Sequence, residues 1–242
     1  MGGLEGIADD PFSTGGSLPD RLPDQPWGIF EAWWDMAHTG REGGPVQPNP
    51  GAMALATVSE DGSPSCRVVL CRMMDFEAGR IVFFTNRNST KGRQLDANPV
   101  AAACFHWDSL ERQIRIEGVI SRSPDAESDA YFAQRATISK LGAWASDQSS
   151  PVGSREELLA KYAEVLDRFD IGFDVLMGEA GAADVEIPRP PHWGGYRLWA
   201  RRVELWIGGR GRFHDRAEWT RELEASGDGF AGGPWRSTRL QP

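Results

Sequence analysis

At 242 residues the chain is long enough for one full domain around a real core, and its 40% hydrophobic content with ten tryptophans excludes a disordered polymer. A net charge of −9 argues against nucleic acid or an anionic membrane as the main partner. No apolar run reaches the ~18 residues of a membrane span, and the opening MGGLEGIADD lacks the basic and apolar regions of a secretory leader, so a cytoplasmic protein is expected.

Residues 1–25 are rich in Gly, Pro and Asp, the composition of a segment that is mobile or draped over the surface, and 26–242 reads as one domain. From Pro26 to His38, Ile29, Phe30, Trp33 and Trp34 recur at helical spacing. After a Gly/Pro-rich connector over 40–51, strand-like segments follow in quick succession: Ala52–Val58, Arg67–Arg72, Arg80–Thr85, Val100–Phe105 and Gln113–Ile120. In the last, Ile114 and Ile116 alternate with Gln113, Arg115 and Glu117, the pattern of a half-buried antiparallel strand. Close strands with short turns point to a barrel or sandwich rather than a doubly wound sheet. Cys66, Cys71 and Cys104 lie within these segments and read as reduced core residues.

Ser123-Pro124-Asp125 has the chemistry of a helix start, and on that helix Tyr131 and Arg135 share a face, with Ser139 near the same line if the helix continues. Ser154 and Glu157 form a capping box, followed by an apolar stripe of Leu158, Leu159, Tyr162, Val165, Leu166 and Phe169. Residues 171–192 form a long loop ending in PRPPHW; Tyr196–Leu198 and Val203–Ile207 read as two further strands.

Two stretches carry candidate chemistry. After the strand Arg80–Thr85, the residues Ser89, Thr90, Lys91 and Arg93 sit where a loop becomes a helix, and its free N–H groups and positive dipole end attract an anion. These residues suit a phosphate cradle and equally an ordinary capped helix with a solvated basic turn. Further on, an extended Arg212–Arg216 segment would place Arg212, His214 and Arg216 on one face, three potential cations that call for an anion or for neighbouring acids. Arg67 and Arg72 are five apart, so they reach one ligand only through a twist, a bulge or a site between two subunits. No nucleotide-binding glycine motif, serine nucleophile elbow or zinc spacing of His38, His106, His192 and His214 is present.

Taken together, RVVLCR, FFTNRNSTKGRQL, HWDSLERQIRIEG, YFAQR, SKLGAWASDQSS, PRPPHWGGYRL, VELWIGG, RFHDR and the C-terminal RLQP occur in unbroken order from about Ala52 to Pro242. In this the chain resembles the pyridoxine/pyridoxamine 5′-phosphate oxidases. The resemblance implies a mainly β fold with flanking helices, an FMN-binding split β-barrel of Greek-key type that forms a homodimer. It implies oxidation of a small phosphorylated pyridine, with molecular oxygen as acceptor and hydrogen peroxide released. Flavin contacts carry over to Arg67, Val68, Leu70, Arg72, Phe84 and Thr85, then to Thr90, Lys91, Gln113, Gln148, Ser149, Trp206 and Arg216. Substrate contacts carry over to Arg72, Tyr131, Arg135 and Ser139, with Arg212 and His214 over the reacting ring as the catalytic pair.

The chain departs from the family pattern at several places. Arg72 stands for a usual lysine, Thr90 for a usual arginine, Ala136-Thr137 for Pro-Arg, and Lys140 for a glutamine; residues 1–25 lack an Arg-x-x-Tyr segment, and the 171–186 loop is long. These positions bear on substrate identity more than on the flavin. They motivate two alternatives: a related oxidase of another ring, as in phenazine biosynthesis, and a flavin or B6-phosphate carrier without turnover.

Overall fold

Period-two alternation builds the sheet. In β1 (Ala52–Val58) every second residue is buried, and β5 (Arg112–Arg122) repeats the pattern, with Ile114, Ile116 and Ile120 turned inward. The structure is a computed structural model and describes residue 12 and residues 16–40, 47–173 and 185–242. The other strands of the barrel are β2 (Pro64–Asp75), β3 (Arg80–Asn86), β4 (Val100–Trp107) and β6 (Trp193–Ile207). All neighbours pair antiparallel in the order β6-β3-β2-β1-β4-β5, and β5 pairs back onto β6, closing a six-stranded barrel. Beyond it β7 (Asp215–Thr220) and β10 (Arg236–Leu240) extend the sheet, while β8 (Leu223–Ser226) and β9 (Gly229–Gly232) form a separate hairpin.

The two short strands expected at 196–198 and 203–207 are one fifteen-residue strand, β6. Its first half pairs with β3, its second half with β7, and β5 runs along the other edge. A bulge at Glu117/Gly118 bends the β5–β6 ladder, and glycine is required there because a Cβ on Gly118 would lie 1.8 Å from the Trp199 carbonyl oxygen.

Two cores result. Inside the barrel, Met53, Leu55, Phe83, Phe105, Ile114 and Leu205 share one core with Phe30 and Trp33 of α1 (Trp27–Thr39). The expected α1 stripe is therefore present. A second core lies between β3, the start of β6 and a helical layer of α3 (Asp125–Ala133), α4 (Thr137–Ala145) and α5 (Arg155–Arg168). It explains why residues 193–200 are buried on both faces and show no alternation.

Several expectations need correction. The helix opened by Pro124 does not continue to Ser139: it ends at Ala133, and α4 starts anew at Thr137. Ser123 makes no cap bond. Ser154 caps α5 by accepting from Glu157 N–H at 3.0 Å, while Glu157 reaches back to Gly153 N–H rather than to Ser154, and Leu159 is exposed. Cys71 is buried and Cys104 half-buried, but Cys66 is exposed. Of the 1–25 segment, the described part from Gly16 onward is draped rather than free: Leu18 is 2% exposed, its N–H donates to Asp215 at 2.6 Å, and Pro23 accepts from the Trp219 indole at 2.8 Å. Most of the 171–186 loop lies outside the described residues. Among the described residues no helix is long and apolar enough to cross a membrane.

Candidate functional site

The turn after β3 is held by its own polar groups. Asn86 accepts from Asn88 N–H at 2.8 Å, and Ser89 donates to the Asn86 carbonyl at 2.7 Å while accepting from Gly92 N–H at 3.3 Å, capping α2 (Thr90–Ala97). Gly92 packs directly beneath the Arg87 carbonyl, 2.1 Å from where a Cβ would sit. The helix N-terminus is thus locked against the end of β3.

Lys91 points back under this turn. Its ammonium donates to Gln148 Oε1 at 2.9 Å and to the hydroxyls of Thr85 and Ser89 at 3.2 Å, and the residue is 7% exposed. All three partners are neutral. Burial, helped by the charge of Arg67, pushes the lysine pKa down to about 8. Arg67 is likewise held by neutral acceptors, namely Ser65, Thr57, the Leu55 carbonyl and Gln94, and burial lowers its pKa too. Of the two readings of this basic turn, the cradle fits better than the solvated cap, because its lysine is buried.

A cavity of about 700 Å³ opens over these groups. Arg67, Val68, Leu70, Arg72, Phe84, Thr85, Thr90, Lys91, Tyr131, Arg135, Gln148 and Ser149 all line it, twelve of the residues expected at the site. Arg67 and Arg72 reach it together because the β2–β3 register shifts between Cys71 and Met73, the bulge their spacing requires. The Tyr131 ring is stacked on Phe84 at 4.1 Å and 5°. Arg135 is not on a helix but in the break between α3 and α4; it donates to the Ser139 carbonyl at 3.0 Å and sits 4.9 Å over the Trp193 ring. Burial, and then the charge of Arg72, holds its pKa below the usual arginine range. Ser139 itself lines an adjoining cavity of about 390 Å³ that shares Phe84, Thr85, Arg135 and Gln148. Among the described residues, Arg67, Arg72, Lys91 and Arg135 have no carboxylate partner.

The remaining five expected residues do not line this cavity. They gather at the far end of β6, where Gln113 is paired with Trp206, Trp206 with Arg216, and the His214 ring lies 4.6 Å from the Trp206 ring. The segment is not extended from Arg212. Residues Arg210–Arg212 form a 3-10 turn with Arg212 at φ 66°, and β7 begins at Asp215, so alternation does not align Arg212 with His214. Gly209 N–H donates to His214 Nδ1 at 3.2 Å, which leaves the proton of the neutral ring on Nε2.

Two residues were missed from sequence. Glu204 is a buried carboxylate that binds Arg216 through Oε1, at 2.9 and 2.8 Å, and lies 2.8 Å from Arg115 through Oε2. An acid placed between Val203 and Leu205 on an alternating strand was the available signal. Trp193, under Arg135, offered none beyond its place in PRPPHW.

A family model described as pyridoxamine 5′-phosphate oxidase matches residues 46–169, and one described as the pyridoxine 5′-phosphate oxidase C-terminal dimerisation region matches 193–242. A protein of Cupriavidus metallidurans named pyridoxine/pyridoxamine 5′-phosphate oxidase is 44% identical over 93% of this chain and 92% of its own. One of the same name from Myxococcus xanthus is 45% identical over 81% of this chain and 84% of its own. The crystal structure of PhzG from Burkholderia lata, in complex with tetrahydrophenazine-1-carboxylic acid, superposes with a TM-score of 0.71 at 30% identity, covering 94% of this chain and all of that one. With the closed barrel and these matches in place, the chain belongs to the pyridoxamine 5′-phosphate oxidase family.

Proposed function

We propose that this protein is an FMN-dependent oxidase that converts pyridoxamine or pyridoxine 5′-phosphate to pyridoxal 5′-phosphate with oxygen as acceptor, working as a homodimer. The observation that carries this is the cavity lined by buried Lys91, half-buried Arg67 and Arg135 and exposed Arg72, which meet no carboxylate among the described residues, since clustered cations of this kind favour an anionic ligand. The donors suit FMN. Lys91, Thr85, Gln148 and the α2 N-terminus match a phosphate group, and Val68 and Leu70, 70% and 38% exposed, offer apolar surface for a ring.

The site is built from two separate groups of side chains. In a homodimer, the Gln113, Trp206, Arg212, His214 and Arg216 group of one copy would face the cavity of its partner. The match to a dimerisation region over 193–242, which contains four of these five, supports that arrangement.

When bound, FMN supplies the acceptor for the hydride that leaves the substrate. The protein's part is to hold and orient. Arg72, Tyr131, Arg135 and Ser139 would bind the substrate phosphate, with a planar guanidinium at Arg72 offering paired donors where an ammonium would offer a point charge. Arg212 and His214 would lie over the pyridine ring, with His214 Nε2–H available as a hydrogen-bond donor. Arg67 and Lys91 would hold the flavin phosphate, and the stacked Phe84 and Tyr131 rings would exclude water from one wall.

The test is oxygen uptake by the FMN-loaded protein given pyridoxamine 5′-phosphate. Uptake with matching peroxide and pyridoxal 5′-phosphate supports the reading. Its absence, in a yellow protein, overturns it in favour of a carrier. A second ring chemistry is favoured by two observations, Ala136-Thr137 bordering Arg135 and the 30% identity to PhzG, and dihydrophenazine-type compounds assayed side by side separate the two.

A further inference from the structure

One large side chain beside the cavity has no role so far. Trp193 opens β6 and is 5% exposed. Its backbone is fixed from several sides: it pairs with Asn86, its N–H donates to the Pro190 carbonyl at 3.0 Å, and its carbonyl accepts from Arg189 at 2.7 Å. Around the indole, Phe84 lies parallel at 5.4 Å and 7°, Tyr131 parallel at 6.2 Å and 5°, and Phe132 edge-on at 5.1 Å. The Arg135 guanidinium sits over the same ring.

Of the two rings beneath Arg135 the indole is the nearer, with the Phe132 ring at 5.9 Å. Arg135 lies between two helices, makes one side-chain bond to the Ser139 carbonyl, and its Nε is buried without a partner. A guanidinium over an indole is attracted by the ring quadrupole and keeps its in-plane N–H donors free for an anion. The same indole, through Phe84, sets the plane of Tyr131.

We propose that Trp193 is a positioning residue for phosphoryl recognition: its indole holds the Arg135 guanidinium, and with Phe84 the Tyr131 ring, toward the cavity. The inference rests on the reading that the cavity takes a phosphorylated amine, and adds the residue that makes it selective for the phosphate.

The experiment compares Trp193→Leu and Trp193→Phe with the parent holoenzyme, using pyridoxamine 5′-phosphate and unphosphorylated pyridoxamine as substrates. Equilibrium dialysis of pyridoxal 5′-phosphate and pyridoxal is measured alongside. Trp193→Leu should raise KM and Kd for the phosphorylated compounds about tenfold, the scale of one lost cation–π contact. Turnover number, FMN affinity and all constants for the unphosphorylated compounds should stay within about twofold. Trp193→Phe, which keeps a smaller ring, should recover most of the loss and leave a phosphate-selective rise of about threefold. Equal losses for phosphorylated and unphosphorylated compounds, or no loss, overturn the proposal. If Trp193→Leu does not fold, Trp193→Phe decides alone: a small phosphate-selective rise supports the role and none removes it. If the parent does not oxidise the phosphorylated amine, the proposed reaction falls while the dialysis still decides on Trp193.

Discussion

Lys91 offers a quantitative test of the cradle. Its ammonium is buried among neutral oxygens, and its pKa of about 8 lies well below the ordinary 10.5. The folded state therefore releases this proton near pH 8, whereas the unfolded chain keeps it to about 10.5. Between those values the unfolded state binds more protons, so stability rises with pH there; below about 8 the full penalty is present. At ~1.4 kcal/mol per pKa unit the penalty is about 3 kcal/mol. Lys91→Met removes it. Urea unfolding of the FMN-free protein, at fixed protein concentration from pH 7 to 10.5, should find the variant more stable at pH 7 by up to about 3 kcal/mol. The two curves should converge as pH approaches 10. FMN affinity should behave oppositely: weakened in the variant throughout, and in the parent falling as pH rises through about 8. Parallel stability curves for parent and variant would refute the claim that a buried, uncompensated ammonium waits for a phosphate.

Arg212→Ala should lower turnover strongly in an oxygen-uptake assay while FMN stays bound; unchanged turnover would remove Arg212 from the reaction. Glu204→Gln leaves Arg115 and Arg216 sharing a neutral partner, so flavin fluorescence titration should show FMN affinity reduced about tenfold. Gly118→Ala forces a Cβ into the Trp199 carbonyl, and a urea midpoint should register a loss of more than about 3 kcal/mol, with an unchanged midpoint refuting the need for the bulge.

Much of the barrel was legible because β1, β4 and β5 each have one face in the core and one outside, which writes alternation into the sequence. β6 was not, since the helical layer covers its first half and removes the polar face that would have marked its extent. The cradle was visible as Ser89, Thr90 and Lys91 at a strand end, but only the fold shows that Lys91 is buried. The break at Arg135 was illegible, with neither glycine nor proline in Arg135-Ala136-Thr137 to signal it. Likewise, alternation could not place Arg212 against His214, because a left-handed backbone at a non-glycine residue has no compositional signature.

Trp193 and Trp206 mark the two ends of β6, thirteen residues or roughly 40 Å apart at ~3.3 Å per residue. One end borders the cavity and the other lies beside the Arg216 group, so in the proposed homodimer a single rod of backbone would belong to two reaction chambers at once. In the proposed pair, two such rods would cross-brace both chambers, and separating the copies would leave two open troughs instead of one working vessel. Assembly itself would then act as the on-switch, and dilution below the association threshold would silence the chain without unfolding it.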